Sequence, residues 1–137
     1  MKSNNQALTL LNLSSNILQI SPIKLEKNIL STLKPHSILK IDSKKLDGFI
    51  LKDKTLLEAR LFFYNNYFYT QNRKFKPKKS IKLKKNEFTL EIFYSAPFEI
   101  GKYILQKEAL DCRLVSKYAI LDARLFFKDK FFIEIKG

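Results

Sequence analysis

The chain has 137 residues, enough for one ordinary domain or two small ones and too few for a large multidomain enzyme. Its 45% hydrophobic and 13% aromatic content supplies a core and excludes wholesale disorder, while only 3 glycines and 4 prolines exclude glycine-rich phosphate loops, collagen-like repeats and flexible low-complexity linkers. The net charge of +13 suits a polyanion, an anionic membrane surface or an acidic partner, although A+T-rich codon usage alone gives the same lysine, asparagine, isoleucine and phenylalanine bias.

The first residues carry apolar positions at Leu8, Leu11, Leu13, Ile17 and Leu18, a spacing that predicts a short N-terminal helix. Asn, Ser and Gln interrupt this segment, so it has neither the apolar run of a signal peptide nor that of a membrane span, and the chain is expected to be cytoplasmic without membrane insertion. From Ile20 onward, β-branched and aromatic runs separated by polar pairs predict a mainly β protein.

Three hairpins are predicted in order. The first joins residues 56–64 to 67–70 through Asn65-Asn66, because asparagine tolerates the positive φ of a tight turn. The second joins 81–83 to 88–94 through 84–87, and the third joins 120–127 to 131–135 through Lys128-Asp129-Lys130. Between the first two lies the basic stretch 72–80, whose like charges and Pro77 read as a linker. The expected organisation is therefore an N-terminal segment 1–16, a β unit 17–71, the linker 72–80 and a second β unit 81–137.

Sliding the chain along itself by 64 positions lays 56–63 (LLEARLFF) on 120–127 (ILDARLFF) without a gap. The same register lays Leu46-Asp47 on Leu110-Asp111, Ile41 on Leu105, Phe68 on Phe132 and Asn65-Asn66 on Asp129-Lys130. A fixed-period match that includes turn on turn points to a duplicated structural unit. Units of about 55 residues are marginal alone, so the two are expected to pair within the chain or to exchange strands with another copy.

The segment Leu33-Lys34-Pro35-His36-Ser37-Ile38-Leu39-Lys40-Ile41-Asp42, followed by Leu46-Asp47 and the first hairpin, resembles the SpoA domain of the flagellar motor switch proteins FliM and FliN and of the type III secretion protein SctQ. Ile100-Gly101-Lys102-Tyr103-Ile104-Leu105 and the third hairpin resemble the same pattern a second time. Ala59 and Ala123 stand where the family usually has glycine, His36 replaces the glycine of the opening segment, and the strong positive charge is unusual for these often acidic proteins.

The resemblance implies two tandem SpoA-like units in an intertwined pseudo-dimer, acting as a non-enzymatic scaffold in the cytoplasmic C-ring or sorting platform of a flagellar motor or injectisome. The implied partners are other FliM-, FliN- or SctQ-like ring proteins, further copies of the chain in a homo-oligomer, and the FliH- or SctL-like regulator of the export ATPase. The implied location is the cytoplasmic face of the inner membrane. The positions matching the family's partner-binding patch are Leu61, Phe62, Phe63, Tyr64, Leu125, Phe126 and Phe127. Consecutive apolar residues on a strand point to both faces, so a single-sided core cannot hold them all; they are buried between the units or left as a docking patch.

Other chemistry is thin. Asp122, Glu134 and Lys136 have the residue types of a metal-dependent nuclease, but they also fit a solvated strand face. Lone Cys112 reads as a small buried hydrophobe and lone His36, after Pro35, as a turn residue; no intramolecular disulfide, closed zinc site or cofactor is expected. The rival reading is a small basic β-domain binding single-stranded nucleic acid, with Arg73, Lys74, Lys76, Lys78 and Lys79 on phosphates and Tyr64, Tyr67 and Tyr69 stacking on bases.

Overall fold

The computed structural model describes residues 16–94 and 97–137. Their strands, in chain order, are β1 (Asn16–Ile20), β2 (Ile23–Lys24), β3 (Ile38–Ile41), β4 (Lys45–Lys52), β5 (Thr55–Tyr64), β6 (Tyr67–Pro77), β7 (Glu87–Tyr94), β8 (Gly101–Lys107), β9 (Ala109–Ser116), β10 (Ile120–Lys128) and β11 (Lys130–Ile135). All belong to one antiparallel sheet, so the protein is mainly β as the sequence predicts. The predicted N-terminal helix falls largely outside the described residues, and its last two apolar positions, Ile17 and Leu18, lie in β1 instead.

Alternation builds the strands. On β5, Leu57, Ala59 and Leu61 are buried while Glu58, Arg60 and Phe62 are turned the other way; on β11, Phe131, Ile133 and Ile135 are buried while Phe132 and Glu134 are not. Asn65 and Asn66 both take positive φ (54° and 71°), the conformation a two-residue hairpin turn requires, and they join β5 to β6 as predicted. The β10–β11 turn is made at Asp129 (φ 67°). It is one residue shorter, so Phe63 faces Phe68 whereas Phe127 faces Phe131. The structural counterpart of Phe68 is therefore Phe131, not the Phe132 that the uniform 64-residue register selects.

The strand order, β3-β11-β10-β9-β7-β1-β4-β5-β6-β8, reads the same from either edge once each strand of the first half is exchanged for its counterpart in the second. Registers follow suit. Leu46 faces Leu61 and Leu110 faces Leu125; Leu18 faces Ile50 and Leu90 faces Leu114; Leu39 faces Ile133 and Tyr103 faces Thr70. The two halves meet at the antiparallel β1–β7 pair. β3 leaves its own half to pair with β11, and β8 leaves its own half to pair with β6.

The inner faces of both halves form one core that includes Leu18, Ile50, Leu61, Phe68, Leu90, Leu114, Leu125 and Phe131. The halves touch across it through the stacked rings of Phe63 and Phe127, 5.1 Å apart. Two core positions differ in chemistry: Thr70 and Asn72 on β6 stand where β11 has Ile133 and Ile135. The Asn72 amide donates to the Glu99 carbonyl (3.0 Å), tying down the loop before β8. β1 and β2 both pair with β7, and in the break between them Thr89 donates its hydroxyl to the Ile20 carbonyl.

Two local expectations are corrected. The stretch expected to be a linker begins as strand: residues 72–77 extend β6 along β5, with Arg73 as an extra residue at a bulge opposite Glu58 and Ala59. Pro77 is tolerated because it is the last residue of β6, beyond the reach of β8, so it interrupts no central ladder. Residues 81–83 are not a strand. The chain there crosses the outward side of β4 and β5, where Phe49 and Leu56, though facing away from the main core, are buried.

Candidate functional site

The outer face of the sheet carries two aromatic ladders. On the first, Lys45, Phe62, Tyr69 and Ile104 form one row across β4, β5, β6 and β8. Phe62 and Tyr69 stack nearly parallel (5.3 Å, 8°), and the Lys102 ammonium sits over both rings, 5.1 Å from Phe62 and 5.8 Å from Tyr69. The adjoining row holds Tyr64, Tyr67 and Lys107, with Lys107 5.4 Å above the Tyr67 ring. Tyr64 is 69% exposed and Ile104 59% exposed.

The second ladder pairs Phe126 with Phe132 (5.5 Å, 13°) in the row Ala109, Phe126, Phe132, Lys40. Its charges differ in arrangement. The neighbouring row holds Asp111, Arg124, Glu134 and exposed Ile38, Lys136 bonds Asp111 at 2.7 Å, and Lys130 bonds Asp42, whose carboxyl that contact holds below its ordinary value. Among the described residues no cation lies over the rings of this ladder.

The seven residues matched to the family's docking patch divide by the strand period. Leu61 and Leu125 are fully buried in the core and cannot receive a partner, which corrects their assignment. Phe63 and Phe127 point inward and spend their faces on one another and on Phe68 and Phe131. Phe62 and Phe126 alone of the six phenylalanine and leucine positions lie on the outer face, and Tyr64 stands exposed beside the first. Sequence reading missed Lys102, Ile104, Lys107, Phe132 and Ile38. Phe132 lies on β11 beside Phe126, whereas the others lie on β8 and β3, which are exchanged between halves; only polar Lys102 and Gln106, two positions either side of Ile104, hinted that it faces outward.

The basic stretch is partly neutralised. Lys74 (4.0 Å) and Lys76 (2.7 Å) both reach Glu58, whose carboxyl the Lys76 hydrogen bond holds below its ordinary value. Arg73, Lys76 and Lys79 border a cleft of about 550 Å³ with Phe49, Leu56 and Ile81, whereas Lys78 is exposed and donates its amide to the Lys54 carbonyl. These five residues are thus not one phosphate groove, and the three tyrosines lie at the other end of the β5–β6 hairpin.

Asp122 faces Arg113 and Glu134 faces Arg124 across strands, and Lys136, whose amide donates to the Asp122 carbonyl, turns its ammonium to Asp111. Cys112 is buried among apolar neighbours, and desolvation pushes its thiol up to about 12. His36 occupies the Lys34–Ser37 turn with φ 72°, and its amide donates to the Ile135 carbonyl. A residue in left-handed conformation sits here where glycine is the easier choice. Ala59 and Ala123, by contrast, lie in extended strand. Among the described residues no helix is long and apolar enough to cross a membrane.

No known protein-family model matches the chain, and no curated protein matches it significantly.

Proposed function

We propose that the chain is a scaffold of two tandem SpoA-like units, held as an intertwined pseudo-dimer, in the cytoplasmic C-ring or sorting platform of a flagellar motor or type III secretion system. It carries out no chemistry of its own and binds ring proteins and an ATPase-regulator segment through the outer aromatic ladders. One observation carries this reading: the strand order is palindromic, with matching registers and reciprocal exchange of β3 and β8, as two copies of one intertwined unit require. A pair of outward aromatic stacks at equivalent positions supports the docking role, because exposed apolar patches on soluble domains are seldom without function.

The test is affinity capture of ring and regulator proteins from a motile or secreting cell by the native chain, Phe62→Asp and Phe126→Asp. Capture by the native chain and its loss in at least one of the variants, with an unchanged circular dichroism spectrum, is the expected result. Capture unaffected by both variants overturns the docking surface.

A further inference from the structure

We infer that the Phe62–Tyr69 ladder, and not its counterpart at Phe126–Phe132, binds a peptide segment in which carboxylates flank a large apolar side chain. The inference rests on the docking reading and adds the chemistry of the occupant and the choice between two quasi-equivalent faces.

The cross-strand rows through the first ladder contain one carboxylate, Asp47, and Arg60 already holds it at 2.7 Å. Lys45, Lys102 and Lys107 form no ion pair among the described residues, and Glu108, in the turn after β8, forms none either. Each ammonium above a ring satisfies one side by cation–π attraction and leaves its other donors to solvent. A carboxylate docked there gains a charge-assisted hydrogen bond without displacing an internal partner. Ile104 and Tyr64 beside those lysines offer apolar surface for the flanking side chain.

The second ladder lacks those lysines: Ala109 and Ile38 stand at the positions of Lys45 and Lys102, Lys40 is the one ammonium in its row, Asp111 and Glu134 lie in the adjoining row, and Asp42 occupies Lys130. An acidic segment meets carboxylates there, which is a repulsive element selecting against it. Single-stranded nucleic acid is the weaker fit at the first ladder because successive bases need successive bare ring faces, and with Lys102 and Lys107 over Phe62, Tyr69 and Tyr67 only Tyr64 offers one.

The experiment selects displayed random peptides of about twelve residues against the full chain, then measures the enriched peptides on the native chain, Lys102→Glu/Lys107→Glu, Lys102→Gln/Lys107→Gln, Phe62→Ser and Phe126→Ser. Enriched peptides are expected to place Asp or Glu beside a large apolar residue. Their affinity should drop about tenfold in the glutamate variant, less in the glutamine one, and with added salt, and survive Phe126→Ser. Neutral or basic peptides that still need Phe62, or acidic peptides that need Phe126 instead, overturn this inference and leave the docking reading standing. Peptides indifferent to both phenylalanines overturn the two together. An oligothymidylate held by the native chain and released by Lys102→Glu/Lys107→Glu replaces the peptide with nucleic acid as occupant and overturns the inference.

Discussion

Phe63 and Phe127, 64 residues apart in sequence and at equivalent places on β5 and β10, stack on each other at 5.1 Å with their planes 18° apart. Each half thus contributes the same residue to the contact between them. Removing either ring leaves a void and strips the other of its partner. We expect Phe63→Ala and Phe127→Ala each to lower stability by about 3 kcal/mol. The double variant should lose about 1 kcal/mol less than the sum, which is the coupling of a stacked pair. Urea denaturation of the three variants checks this; strict additivity would mean that the rings do not support each other.

One residue along the strand, the consequence reverses. Phe62 and Phe126 face outward, whereas Leu61 and Leu125 are fully buried. Phe62→Asp and Phe126→Asp should change stability by no more than about 1 kcal/mol, while Leu61→Asp and Leu125→Asp bury an unpaired charge and cost about 4 kcal/mol or more. Thermal melts followed by far-ultraviolet dichroism separate the two classes.

Thr70 sits in the core opposite Tyr103, and its hydroxyl oxygen finds no hydrogen-bond partner among the described residues. Its counterpart on β11 is Ile133. Thr70→Val keeps the shape and removes the stranded group, and should raise stability by about 1 kcal/mol. Asn72→Ile, though it copies Ile135, should not stabilise, because it cuts the amide's tie to Glu99. A melting temperature for Thr70→Val at or below that of the native chain would contradict the assignment.

Cys112 is buried and its thiol is pushed up to about 12 by desolvation, with Asp111 adding to the shift. Because the folded value lies above that of the unfolded chain, the linked stability is fully present below about pH 9 and is lost as pH rises toward 12. A disulfide reagent at pH 8 should therefore label Cys112 only as fast as the protein opens, with quantitative labelling in denaturant. Rapid labelling of the native chain would place the thiol at the surface.

Gly48 faces Ile20 in the β1–β4 ladder, and a Cβ there would stand 2.3 Å from the Gln19 carbonyl oxygen, so the backbones would have to move apart. Gly48→Ala should cost about 2 kcal/mol or more. The equivalent position on β9, Cys112 opposite Ile92, already carries a side chain, so Cys112→Ala is the mild control. Denaturant midpoints of the two variants test the asymmetry.

The hairpins at Asn65-Asn66 and Asp129 were legible because each turn residue accepts positive φ between strongly alternating strands. β4 and β9 were harder to see. The β4–β5 turn at Asp53 (φ 56°) is the same Lys-Asp-Lys tripeptide as the turn at Asp129 but follows the continuous apolar run Phe49–Leu51, where alternation is lost, and the β8–β9 turn rests on Glu108 (φ 67°), a residue type that seldom takes positive φ. The charge of residues 72–77 masked a strand, since propensity there yields to pairing with β5 along an edge. The candidate site was half legible: strand alternation separates Phe62 from Leu61, but Lys102, Lys107 and Ile104 arrive on an exchanged strand from the far half, a non-local fact that no local pattern encodes.

That exchange also bears on synthesis. When only the first eighty residues have left the ribosome, the outer edge of β6 is bare, because the strand that covers it spans Gly101–Lys107. β3 waits in turn for β11, Lys130–Ile135. Until Lys130–Ile135 has been made, the nascent polypeptide therefore carries unpaired strand edges that can pair with sister chains.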